Sequence, residues 1–117
     1  MSFVRRSNEV SVNRKQMFGG AGEVEMHQLL RGADEMYGKG RLFNHVVLEP
    51  GTELGWHVHE GDGETYFIIR GEGEYNDNGA VTTVAAGDVT FVGDGEGHSV
   101  KNTGSEPLEF VALILYC

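Results

Sequence analysis

His57 and His59 stand two residues apart, and Glu64 follows five residues later, within the stretch GTELGWHVHEGDGETYFIIRG from Gly51 to Gly71. On a β-strand, residues i and i+2 project from one face with Cα atoms about 6.5–7 Å apart. Two imidazoles at that separation can lean onto one ion. Glu64 comes after a short glycine-containing turn, at the start of another apolar run. Imidazoles with a carboxylate suit a divalent transition metal. Taken alone, the three side chains also fit a hydrogen-bonded polar group without a metal. A further candidate, His98, opens a short segment after the glycine-rich turn of Gly93, Gly95 and Gly97. Spacing along the chain cannot bring His98 to the others; only a fold can.

The elements that must position these residues read as short strands. Residues 1–16 are polar with weak alternation at Val10 and Val12, an arm or an edge strand. Glu23–Leu30 alternates, with Val24 and Met26 on one side, and residues 31–40 form a loop with room for one helical turn. Arg41–Glu49 is a strand closed by Pro50-Gly51, the pair expected at the centre of a type II turn. Trp56–His59 is a short strand, and Thr65–Arg70 is a run of aromatic and β-branched residues. Gly73–Asn76 and Val81–Ala85 flank Asn78-Gly79, a hairpin signal. Asp88–Val92, His98–Asn102 and Leu108–Tyr116 follow. Many short strands at regular spacing predict an all-β sandwich or barrel.

The chain has 117 residues, which suits one domain that buries its own core. Its net charge of −9, from 9 basic and 18 acidic residues, opposes binding to nucleic acid or to an anionic membrane. The N-terminus lacks the apolar segment of a secretory signal, and no apolar run is long enough to span a bilayer. A single cysteine, Cys117, excludes an internal disulfide. The expected location is the cytoplasm.

The residues from Gly51 onward resemble the motifs of the cupin superfamily. The first motif is Gly, five residues, His-x-His, three or four residues, Glu, six residues, Gly; Gly51, His57, His59, Glu64 and Gly71 satisfy it. The second is Gly, five residues, Pro-x-Gly, two residues, His, three residues, Asn; Gly87, Gly95, His98 and Asn102 match, and Gly93 stands where the motif has proline. The resemblance implies a jelly-roll barrel (a double-stranded β-helix) of two packed antiparallel sheets. It implies one cupin domain over residues 1–117, its motifs at 51–71 and 87–102. It also implies one divalent transition ion per chain on His57, His59, Glu64 and His98. Manganese or iron is expected, and zinc, nickel or cobalt can occupy such a site.

That donor set leaves two positions of an octahedron for water, dioxygen or a chelating substrate. Ion and carboxylate together keep a positive centre suited to an anionic small molecule. The implied function is a metal-dependent enzyme on a small oxo- or carboxylate compound, of dioxygenase, decarboxylase or isomerase type. The alternatives are a non-catalytic binding or sensing module and, less suited to so short a chain, a storage role. Acid–base candidates beyond the ligands are Tyr66, which shares strand parity with Glu64, and also His45 and Arg41. His27 and His45 fit surface or interface positions as well. Val89 or Phe91 is expected to line the cavity, and Asn102 to bond the backbone. Both faces of Leu108–Tyr116 are apolar, which predicts cover on both sides, by a second subunit in a homodimer or by the N-terminal arm.

Overall fold

A computed structural model describes residues 2–117. Ten strands run in chain order: β1 (Ser11–Lys15), β2 (Val24–Leu30), β3 (Gly40–Leu48), β4 (Glu53–Val58), β5 (Asp62–Arg70), β6 (Glu72–Asp77), β7 (Ala80–Ala85), β8 (Val89–Val92), β9 (Gly97–Lys101) and β10 (Leu108–Tyr116). Among the described residues the helical pieces are two short 3-10 turns, Ser7–Glu9 and Ala33–Met36. One sheet has the order β1-β2-β3-β10-β5-β8 and the other β4-β9-β6-β7. All pairings are antiparallel. The two sheets pack face to face as a jelly roll, the form of all-β barrel that the cupin resemblance implies.

Turn chemistry sets the register. Thr52 N–H donates to the Glu49 carbonyl at 2.9 Å, and Gly51 has φ +85°, the type II geometry that Pro50-Gly51 requires. Asn78 and Gly79 both have positive φ, 49° and 103°, which fits a two-residue type I′ hairpin between β6 and β7. Gly71 turns the chain from β5 into β6 at φ +82°, and a Cβ there would overlap the Pro107 carbonyl.

Strand alternation then divides the inner face into two regions. Leu48, Ile68, Leu108 and Phe110 are fully buried between the sheets with Tyr75 and Val100 from the opposite layer. Each such apolar side chain contributes about 1.5–3 kcal/mol through burial. Further along the same rows come Asn44, Asp62, Glu64 and Tyr66, all buried. Polar groups therefore collect at one end of an apolar barrel.

Several readings are refined. The N-terminal segment supplies an edge strand, β1, paired with β2 rather than laid over β10. Strand β10 lies at the middle of its sheet, between β3 and β5. Its Leu108, Phe110, Ala112 and Ile114 face the core; Val111 and Leu113 are half-buried and Leu115 is exposed. Val89 and Phe91 do not line the cavity. Val92 pairs with Glu64 and Thr90 with Tyr66, so these two face inward and leave Val89 and Phe91 each 64% exposed.

Candidate metal centre

Three separate strand ends bring four donor side chains together. His57 is the penultimate residue of β4 and His59 lies just past the end of that strand, two residues on, so both point inward. A bulge between Leu54 and His57 resets the register of β4 against β9, the device by which strands re-aim side chains near sites. It also turns the Gly55 carbonyl toward His57. His98 sits directly across the ladder from His57, on β9. Glu64 comes from β5 in the opposite sheet.

The distances are those of a shared ligand sphere. His98 Nε2 lies 3.0 Å from His57 Nε2, 3.3 Å from His59 Nε2 and 2.9 Å from Glu64 Oε1. Glu64 Oε1 lies 3.1 Å from His59 Nε2 and 3.5 Å from His57 Nε2. All four donor atoms fall within 4.8 Å of one another. Donors about 2.1 Å from one ion stand about 3.0 Å apart at right angles, so the spacing accommodates a metal.

The outer nitrogens support the same conclusion. His57 Nδ1–H donates to the Gly55 carbonyl at 2.8 Å, and His59 Nδ1–H donates to Asp62 Oδ1 at 2.7 Å. Neither acceptor carries a proton to give back. In their neutral forms both rings therefore turn an Nε2 lone pair toward Glu64 Oε1 and His98 Nε2. Protons on the imidazoles or one metal ion would relieve this meeting of lone pairs and carboxylate, and a metal ion would satisfy every donor at once. His98 Nδ1 meets the Tyr75 hydroxyl at 2.7 Å.

Charge and burial shift the groups in opposite directions. Burial pushes the Glu64 carboxyl up, but hydrogen bonds from His57, His59 and His98 outweigh it and hold it below the usual carboxylate range. The bond to Glu64 raises His59, with burial opposing and Asp62 helping. Burial lowers His98, with Glu64 opposing. For Asp62, burial acts upward, and the bonds from Arg41 and His59 prevail and lower it. Tyr66 is completely enclosed, and burial pushes its phenol well above the ordinary tyrosine value.

A cavity of about 90 Å3 opens onto this cluster. His57, His59, Glu64 and Tyr66 line it together with Arg41 and Asn44, and apolar side chains such as Met26 and Leu54 complete the wall. Phe18 covers part of the mouth, its ring stacked on His57 at 4.2 Å with 14° between planes. Phe18 has φ +53°, an uncommon conformation for an aromatic residue. Gly55 permits it, since a Cβ there would overlap the Phe18 carbonyl.

A family model described as a cupin domain matches residues 44–114. The chain belongs to the cupin family. This cupin is 48% identical over 113 residues to the oxalate-binding protein of Thermotoga maritima, covering 96% of this chain and 93% of that protein. It superimposes with a TM-score of 0.92, at 46% identity, on the crystal structure of a predicted oxalate decarboxylase from Thermotoga maritima, covering 98% of this chain and all of that one. The cupin domain of an XRE family transcriptional regulator from Enterobacter cloacae shares the fold at 22% identity and a TM-score of 0.65, covering 80% and 97% of the two chains.

The remaining expected residues fall in different places. Tyr66 lines the cavity and stacks on the His98 ring at 4.9 Å. His45 and His27 lie on the outer face, bonded to Glu109 at 2.8 Å and Glu25 at 2.7 Å, with ring centroids 5.1 Å apart. Asn102 bonds the backbone, donating to the Leu48 and Glu106 carbonyls and accepting from Gly104 N–H. Gly93, where the motif has proline, donates its N–H to Glu96 at 2.8 Å, a bond proline could not make. Asp62, Tyr75 and Phe18 escape the sequence reading. Each supports an imidazole from a segment whose spacing carries no signal of its own.

Proposed function

We propose that this cupin, read as one domain, holds one divalent transition ion on His57, His59, Glu64 and His98 and binds a small carboxylate compound there. The observation that carries this reading is the convergence of three imidazoles and one carboxylate, with His57, His59 and Glu64 lining a small cavity. Manganese or iron suits three imidazoles and a carboxylate, and zinc, nickel or cobalt fits the same donors. A bound ion supplies Lewis acidity and open positions for carboxylate oxygens. The cavity is well below the roughly 300–1,000 Å3 of a drug-sized site, so the ligand has only a few non-hydrogen atoms. Oxalate fits that description, and a relative 48% identical is named an oxalate-binding protein.

Ligand binding is the reading we place first. Among the described residues lining the cavity, Glu64 is the one carboxyl group, and the ion would occupy it. Proton transfer would then fall to Tyr66, whose phenol is held protonated by burial. The position of Tyr66 on the cavity wall is what supports the second reading, a decarboxylase, dioxygenase or isomerase. We also read the chain as a homodimer, paired through the exposed Phe67, Ile69 and Phe91 on the outer face of the six-stranded sheet. A charged replacement of Phe67 should then shift the mass in light scattering from dimer to monomer.

Metal analysis of the purified protein should find close to one divalent ion per chain. His57→Ala and His98→Ala should each lose it. Manganese-loaded protein should bind oxalate in a calorimeter and metal-stripped protein should not. Full metal in both variants would refute the ligand assignment, and a loaded protein that takes no carboxylate would refute the ligand class.

A further inference from the structure

The cavity has one side chain with a fixed positive charge among the described residues that line it, Arg41. Arg41 stands on β3 and Asp62 at the start of β5, on either side of the end of β10. Its Nε donates to Asp62 Oδ2 at 2.8 Å, while Asp62 Oδ1 accepts from His59 Nδ1 at 2.7 Å. One carboxylate thus holds both an imidazole of the donor cluster and the guanidinium at the cavity wall. The bond uses Nε, and among the described residues the two Nη groups make no side-chain hydrogen bond. Their edge is the planar fork that matches a carboxylate through two parallel bonds.

Neutralising Asp62 uses one edge of the guanidinium and leaves the rest of it available. The Asp62 side chain is 6% exposed and needs a cationic partner, but the Arg41 side chain is 46% exposed, so much of the guanidinium stays open beyond the single bond that serves the buried carboxylate. A cation fixed at the mouth of an otherwise largely apolar cavity has a clearer use in recognising an anion. The neighbouring Asn44 amide, also on the cavity wall, adds a donor but no charge.

We propose that Arg41 determines specificity in this cavity: its guanidinium, braced by Asp62, takes a carboxylate of a small dicarboxylate and so sets dicarboxylates apart from monocarboxylates. This inference rests on the reading that a carboxylate compound binds at a metal held by the donor cluster. It adds a selecting residue that the cluster does not contain. A monocarboxylate would use the cluster alone, whereas a dicarboxylate would use both charges.

The test is calorimetric titration of manganese-loaded wild type, Arg41→Gln and Arg41→Lys with oxalate, malonate, acetate and glycolate, with metal content measured for each. Wild type should prefer oxalate or malonate over acetate and glycolate. Arg41→Gln should keep about one metal per chain, weaken its best dicarboxylate about 10- to 100-fold and change the monocarboxylates less than about threefold. Arg41→Lys keeps the charge without the fork and should fall between the two. Equal weakening of all four ligands, unchanged binding in Arg41→Gln, or loss of metal from both variants would each overturn the role given to Arg41. If loaded wild type binds none of the four, the carboxylate reading itself fails and this inference falls with it.

Discussion

Replacing Tyr75 with phenylalanine should weaken metal binding, although Tyr75 would not touch the metal. His57 and His59 have their outer nitrogens bonded to acceptors that fix the tautomer. His98 differs, because its Nδ1 faces a hydroxyl that can donate or accept. A metal on Nε2 requires Nδ1–H to donate to the Tyr75 oxygen. The phenol proton must then turn away from the imidazole. Burial pushes the Tyr75 phenol up to about 12, so that proton stays in place at neutral pH.

Tyr75→Phe removes the oxygen from a 2.7 Å bond between residues that are 2% and 0% exposed. Stranding a buried donor of this kind costs about 1–3 kcal/mol. At about 4 °C per kcal/mol for a domain of this length, metal-free protein should melt about 4–12 °C lower. Loss of the group orienting a metal-binding imidazole should weaken the ion about 10- to 100-fold. Thermal melts of stripped protein measure the first quantity, and competition with a chelator for manganese measures the second. A Tyr75→Phe protein that melts lower yet binds manganese within threefold of wild type would show that the hydroxyl only holds the core. The tautomer argument would then be wrong.

Two other outcomes follow from the same structure. Arg5 makes a two-pronged bond to Glu35, at 3.0 and 2.8 Å, and with the Arg31 N–H holds that carboxyl at about 2 against its ordinary 4.5. A depressed carboxyl stabilises the fold above the unfolded value and ceases to do so as pH falls through the folded one. Melting temperature should therefore fall between pH 4.5 and 2 in wild type, with a shallower fall in Glu35→Gln; parallel profiles would disprove the link. Gly71→Ala forces a left-handed backbone onto a residue with a Cβ and drives that Cβ into the Pro107 carbonyl. The backbone strain alone costs about 1–3 kcal/mol, and a urea midpoint equal to wild type would refute it.

Much of this molecule is legible in its sequence because local rules decide it. Period-two alternation places Glu64, Tyr66 and Ile68 on one face of β5. The i, i+2 spacing aims His57 and His59 the same way, and Pro50-Gly51 and Asn78-Gly79 dictate turns that need positive φ. Parity is less secure in a short strand without a clear polar face, and so the sequence alone turns Val89 or Phe91 inward. In β8 all four residues are Thr or apolar, and the pairing with β5 selects which two are buried.

Tertiary structure decided what surrounds the cluster. Asp62 reaches both His59 and Arg41, which lie 18 positions apart in the sequence. Tyr75 meets His98 from a neighbouring strand, and Phe18 covers His57 from the loop before β2. Those partners depend on which strands are adjacent and in what register. The sequence by itself pointed to which residues could hold a metal, because strand periodicity turns His57 and His59 to one side and the cupin motifs join Glu64 and His98 to them. Only the closed barrel decided what orients those residues and what ligand can reach them, because hydrogen bonds between strands bring together groups that the chain keeps far apart.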